Sequence, residues 1–295
     1  MRISYNFINS RDKLIRGVFI FCAIFSIVAL SLICIFLFLN GISFISKIGI
    51  GNFILNSKWN IVSDTPSYGI LSMIIASLYV TALSTILGIV IGLLTAISLY
   101  KFTHKKVVMV LRGTINLLAG IPSVIYGLFG IIIIVPFLAE YISPNGVGYG
   151  ILAASIVLAI MILPTIVSVS LDALNATPKN YYEGALALGA TKEQSVFKVM
   201  VPAAKSGIMA AVVLAIGRAI GETMAVIMVI GGSPEMPTGL FQSVRTLTAN
   251  IAMGATELTG EPAKALIATG VVLFFFTLLL NISLGIIKEV KHAKK

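Results

Sequence analysis

Charge is scarce in this chain. Asp, Glu, Lys and Arg make up 11% of its 295 residues, against about 25% in a soluble domain, which leaves too little polar surface to cover a water-exposed globule. Cysteine and histidine are nearly absent, with two of each. Cys22 and Cys34 lie in one apolar run, where a shared helix keeps them from bridging and both pack as small apolar groups. His104 and His292 stand in basic segments with no second His, Cys or carboxylate at ligand spacing, which argues against a metal site. No G-x-S-x-G and no Ser/His/Asp set occurs either. Neither a catalytic residue nor a cofactor is expected.

What fills the chain is apolar: 58% of its residues are hydrophobic, and the mean hydropathy is +1.05. Six long apolar stretches, at about 17–39, 70–99, 113–138, 150–171, 207–232 and 263–287, approach or exceed the ~20 residues a helix needs to cross the hydrocarbon core. The expected fold is an all-α integral membrane protein with six transmembrane helices, residues 1–16 forming a cytoplasmic N-terminal segment and 17–295 one transmembrane domain. The first stretch is too long for a signal-peptide core and no A-x-A site follows at Asn40-Gly41-Ile42, so it reads as a retained helix.

The net charge of +10 matters less than where it sits. Lys and Arg fall four each in residues 1–16, 101–112, 172–206 and 288–295, whereas the alternate loops hold only Lys47, Lys58 and Arg245, with Lys264 at a span edge. By the positive-inside rule both termini and the loops 101–112 and 172–206 are cytoplasmic. The 233–262 loop, with Glu235, Glu257 and Glu261 against Arg245, then faces out. Topology accounts for the basic excess, and no nucleic-acid partner is expected.

The longest cytoplasmic loop carries the strongest local signals. Gly184-Ala-Leu-Ala-Leu-Gly189-Ala190-Thr191 has the glycine spacing of a phosphate-binding loop, but Ala190 stands where the essential Lys must be, so ATP is not bound there. If ATP drives this protein, hydrolysis happens on another chain, and this one needs a surface to receive the stroke. Thr177-Pro178 predicts an N-cap followed by Pro at the first helical position, Gly189 a helix end, and Thr191-Lys-Glu-Gln194 a capping box opening a second helix that runs to Pro202. Tyr182, Ala185 and Leu186 on the first helix, and Val196, Phe197 and Met200 on the second, are more apolar than a solvated loop needs. On these grounds alone the two helices either receive a partner or merely cover the inner end of the bundle.

Tyr182-Glu183-Gly184-Ala185-Leu186-Ala187-Leu188-Gly189-Ala190, followed by Val201-Pro202-Ala203, resembles the EAA loop of permease subunits of bacterial ABC importers. It departs from that pattern at Gly184, the second position of the triplet, where a helical Gly costs up to about 1 kcal/mol against Ala. Ala119-Gly-Ile-Pro-Ser-Val-Ile-Tyr-Gly-Leu-Phe-Gly130, Gly217-Arg-Ala-Ile-Gly-Glu-Thr-Met-Ala-Val226 and Thr246-Leu-Thr-Ala-Asn-Ile-Ala252 narrow the resemblance to the PstC family of phosphate-importer permeases. The sister PstA family continues with Ala-Pro after the Thr, whereas Met224-Ala225 follows here. The resemblance covers roughly residues 65–290. It implies a type I ABC importer permease (MetI-like) core plus an N-terminal helix, and inorganic phosphate as substrate. It also implies a second permease subunit (PstA-like), an ATPase dimer (PstB-like) and an extracytoplasmic phosphate-binding protein (PstS-like), with the complex in the bacterial cytoplasmic membrane. Glu183, Gly184, Ala185, Leu186, Ala187, Gly189 and Ala190 become the expected contact to the ATPase.

Two further features bear on a translocation path. Gly120-Ile121-Pro122-Ser123 interrupts the third span: Pro122 removes a backbone donor and disfavours helix at Ile121, so a kink or break is expected, with a fresh helix N-terminus at Ser123 that either packs or faces an anion. The run 215–232, AIGRAIGETMAVIMVIGG, carries Arg218 and Glu222 near its middle. Apolar residues there contribute roughly −3 to −6 kcal/mol to insertion and two central charges cost about +5 to +7, which brings insertion close to break-even and disfavours lipid-facing charges. Read as one helix, Arg218 and Glu222 share a face, and Gly217 and Gly221 form a G-x-x-x-G that admits a neighbouring helix. The pair is then a buried structural lock or a site where Arg218 attracts the anion and Glu222 orients the arginine. Permeases for sulfate or molybdate, an ion-coupled secondary transporter or channel, and a scaffold protein remain the rival readings.

Overall fold

The computed structural model describes residues 2–61, 65–256 and 258–290, of which 2–11, 13–14, 284 and 286–290 are described by backbone alone. Glu257 and residues 291–295, His292 among them, lie outside the described residues. The chain opens with one helix, α1 (Arg2–Ile48), whose apolar part Ile15–Ile48 runs beyond the anticipated 17–39. Phe19, Phe21, Phe25 and Leu39 along it are more than 60% exposed, the signature of a lipid-facing surface rather than of a misplaced core. A short α2 (Ile50–Ile54) and a two-residue hairpin, β1 (Trp59–Asn60) with β2 (Ser67–Tyr68), follow. This hairpin is the one sheet among the described residues, and an isolated parallel bridge between Gly231 and Val244 is a further β pairing. Phe44, Phe53, Trp59 and Tyr68 stack edge to face around it, with ring centroids 5.3–6.1 Å apart.

The bundle is organised around α7 (Ile151–Ala176), which is buried along most of its length. Helix α3 (Leu71–Ile97), prolonged by a π turn at Ser98–Phe102, runs beside it in the same direction: Ser155 Oγ lies 3.5 Å from the Val80 carbonyl, and Gly88 and Gly92 face Ile162 and Ile166 further along. A Cβ at Gly88 would stand 2.8 Å from Ile162, so the backbones meet as closely as small residues allow in a membrane interface. Pro164 sits inside α7 without ending it. The hairpin end and the opposite end of the bundle are thereby defined by the starts and finishes of α3 and α7.

The structure corrects the anticipated third and fifth spans. Residues 113–138 are not one helix: α4 (Lys105–Ala119) ends at Gly120, and a new helix starts at Ser123 as α5 (Ser123–Phe129), continuing through a π turn, Gly130–Ile134, into α6 (Val135–Tyr141). The membrane-length helix is thus Ser123–Tyr141. Helix α4 buries none of its residues and is tied to α7 by the Arg112–Asp172 ion pair. Past α7 come α8 (Lys179–Ala187) and a second short helix, α9 (Lys192–Gln194), which passes through a π turn, Ser195–Met200, into α10 (Val201–Ala203). A 69° bend then leads into α11 (Lys205–Gly221). The run 215–232 stops being helical at Glu222, and α12 (Met224–Val229) begins after Thr223.

The 233–262 segment is no simple loop. It contains α13 (Leu247–Gly254), whose Leu247, Thr248, Ala249 and Asn250 are buried, with the Leu247 amide donating to Ser77 Oγ of α3. Helix α14 (Glu261–Val290) closes the fold against α1, where Phe38 meets Phe274 edge-on at 5.4 Å and Gly41 lies against Val271.

Candidate translocation path and coupling surface

The two short helices stand beyond the end of α7, opposite the hairpin. Thr177, expected to cap the first of them, instead closes α7: its Oγ1 donates to the Ala173 carbonyl, and Pro178 takes the N-cap position of α8. The helix ends at Gly189, which has φ +85. There the Gly189 amide donates to Leu186 O at 2.9 Å and the Ala190 amide to Ala185 O at 3.1 Å, the paired closure of a Schellman turn. The capping box forms with both its bonds, Gln194 N–H to Thr191 Oγ1 and Thr191 N–H to Gln194 Oε1. Glu193, in the same first turn, has its carboxyl held below the usual range by hydrogen bonds to its own backbone and to Thr191.

One face of this pair is anchored and the other is free. Val196, Met200 and Ala204 are buried with Ile97, Leu174 and Ile208, and Tyr182 packs on that cluster. Lys101 Nζ sits 4.3 Å above the Tyr182 ring, fastening the π turn after α3 to α8 through a cation–π contact. Glu183, Gly184, Leu186, Ala187 and Gly189 are exposed, Ala185 and Ala190 are half-buried, and Leu188 is 91% exposed. Phe197 is exposed as well, so the apolar faces read from the sequence divide between bundle and open surface.

The second site lies where α5 and α12 begin. These half-helices pack together, Gly127 of α5 lying against Ala225 and Met228 of α12. Their starts differ in cause. At α5, Pro122 fills the cap position, and the Tyr126 hydroxyl donates to the Leu118 carbonyl across the break at 2.8 Å. At α12, the Glu222 carboxylate accepts from the Ala225 amide at 3.1 Å, while its carbonyl accepts from Thr248 Oγ1 of α13. The Glu222 carboxylate is thus bonded to an amide of the first turn of α12 from the position before that helix's N-cap, Thr223.

Arg218 is left without that partner. Among the described residues it forms no ion pair or hydrogen bond. The shared helix face expected for Arg218 and Glu222 does not exist, because Glu222 is extended (φ −70, ψ 129). Nor does Gly217-x-x-x-Gly221 receive a neighbouring helix. A Cβ at Gly221 would meet nothing within 4 Å, and one at Gly217 only Asn281 Oδ1 at 3.9 Å. A half-buried guanidinium thus stands beside an open face, in the last turn of α11. The part Tyr126 plays here was not legible, because its bond to the Leu118 carbonyl depends on the chain turning between α4 and α5.

Comparison with known proteins agrees with this architecture. Residues 88–290 match the family described as the binding-protein-dependent transport system inner membrane component. The chain is 40% identical to the probable ABC transporter permease protein YqgH of Bacillus subtilis, over 95% of both chains. It is 34% identical to the phosphate transport system permease protein PstC of Mesorhizobium japonicum, over 88% of this chain and 84% of that one. Among solved structures, the permease fold of the MetNI methionine ABC transporter superposes with a TM-score of 0.61 at 22% identity, covering 75% of this chain and 95% of the other. Subunits of this kind carry out transport in the membrane together with an ATPase and a periplasmic binding protein. The broken spans, the paired short helices and these relatives agree, and the chain belongs to the family of inner-membrane permease components of binding-protein-dependent ABC importers.

Proposed function

We propose that this chain is the permease subunit through which an ATP-driven importer moves inorganic phosphate into the cell, with Arg218 on the translocation path. The observation that carries the reading is the uncompensated Arg218 guanidinium next to the open Gly217–Gly221 face. An intramembrane charge without an ion pair among the described residues calls for a partner from outside, and a guanidinium fork matches a tetrahedral oxyanion. Relatives named as phosphate permeases favour phosphate over sulfate or molybdate. A PstA-like permease completes the path, a PstB-like ATPase dimer seats on Glu183–Ala190, and a PstS-like protein delivers the ion at the hairpin end. Glu222 acts in this scheme by bonding the Ala225 amide in the first turn of α12, which holds the break open after Arg218, and Ser123 begins the first turn of the neighbouring α5.

The test is uptake by the assembled complex. Replacing Arg218 by Met together with Glu222 by Gln leaves assembly intact, since Gln Oε1 still accepts from the Ala225 amide, and abolishes phosphate uptake. Normal uptake by the assembled double variant refutes the transport role. Competition by sulfate and molybdate against labelled phosphate decides the substrate.

A further inference from the structure

A cavity at the hairpin end of the bundle lies apart from Arg218. It is a half-open pocket of about 330 Å³ between β1, α13 and α14, and Trp59, Arg245, Asn250, Met253 and Leu258 are among the residues that line it. Its walls are largely apolar apart from two residues. Arg245 is half-buried, with Nε donating to Gly232 O at 2.8 Å and Nη1 to Asn250 Oδ1 at 3.2 Å. Both acceptors are neutral, and among the described residues Arg245 forms no ion pair. Burial lowers its pKa from the ordinary value, yet a guanidinium stays protonated in a protein. Asn250 is 2% exposed, and with its oxygen taken by the arginine its Nδ2 has no acceptor. A buried donor left unbonded and a partly desolvated charge left unpaired are each unfavourable. Here the two deficits adjoin, and both consist of N–H groups lacking an acceptor.

A small oxyanion supplies what is missing: negative charge and several acceptor oxygens, in a space large enough for the ion with some of its water. We propose that this cavity is an anion subsite in which Arg245 and the Asn250 amide hold one inorganic oxyanion, phosphate on the reading given above. Only the identity of the ion rests on that reading. The subsite is mechanically joined to the path, because Thr248, two residues before Asn250 on α13, donates to the Glu222 carbonyl at the start of α12. An ion held here waits one helix away from Arg218.

Trp59 is the single tryptophan of the chain and lines the same cavity, so its fluorescence reports occupancy. The full chain in phosphatidylcholine nanodiscs is titrated with inorganic phosphate, then with sulfate, at constant ionic strength. The expected result is a saturable change that moves to about tenfold or more higher concentration in Arg245→Gln, as loss of a charged hydrogen-bond donor implies, and that survives in Arg218→Met. If Arg245→Gln does not fold, Asn250→Ala carries the test, with a weaker response and an unchanged melting temperature supporting the subsite. Saturation by sulfate but not phosphate keeps the subsite and overturns the phosphate reading. No saturable response to either ion, or an equal response in both cavity variants, overturns the proposal. So does a cavity that ignores free ions and responds only when phosphatidylglycerol is added, which would assign it to a lipid headgroup.

Discussion

Substituting Gly189 by asparagine, alanine and valine in turn perturbs the backbone of the coupling turn without a clash, because a Cβ built there meets nothing within 4 Å. The effect therefore comes from φ alone, which is +85. A left-handed conformation costs an L-residue roughly 1–2 kcal/mol, least for asparagine and most for a β-branched side chain. Taking about 2 kcal/mol for valine, the closed turn with its bonds to Leu186 O and Ala185 O loses about 30-fold in population relative to open alternatives. The α8 surface is then presented in many orientations instead of one. In proteoliposomes holding the whole importer, phosphate taken up per ATP hydrolysed stays near wild type for Gly189→Asn, falls for Gly189→Ala and falls by about an order of magnitude for Gly189→Val. Wild-type coupling in the valine variant refutes the reasoning outright. Equal damage by asparagine and valine refutes it differently, by showing that the partner needs the missing side chain rather than the turn.

Other consequences are checked more simply. A Cβ at Gly148 would press on the Val135 carbonyl and stand 3.1 Å from the Ala139 amide, so Gly148→Ala lowers the melting temperature by the equivalent of about 1–3 kcal/mol or more. Gly113→Ala, in the open face of α4, raises it slightly, by at most about 1 kcal/mol; the opposite order in thermal melts contradicts the packing described. In a background lacking Cys22 and Cys34, a cysteine at exposed Thr256 reacts with an impermeant maleimide added outside intact cells and one at Thr191 does not; the reverse pattern inverts the topology. Removing the Glu222 bond to the Ala225 amide with Ala destabilises the start of α12 by about 1 kcal/mol, whereas Glu222→Gln does not, and equal losses in the two variants point to a charge requirement instead.

Much of this architecture follows from local chemistry. Apolar length sets the spans, Pro122 next to Gly120 interrupts the third because it lacks a backbone donor and disfavours helix at Ile121, and the Thr191–Gln194 box and Gly189 punctuate the coupling helices through bonds that reach no more than five residues along the chain. The resemblance to ABC importer permeases rests on the same short segments. The break at Glu222 was not legible in this way. Nothing in Gly221-Glu-Thr-Met-Ala-Val226 forbids a helix, and hydropathy runs on without a gap. The helix yields there because Thr248, 26 residues later, brings a donor to the Glu222 carbonyl and the carboxylate finds the Ala225 amide. Arg245 likewise counts as one loop charge until α13 folds inward and half-buries it beside Asn250. Local bonds are written in consecutive residues, but a polar group in a membrane bundle is satisfied by whichever distant segment packs beside it. Only the tertiary structure therefore separates Arg218 from Glu222 and gives each its own surroundings.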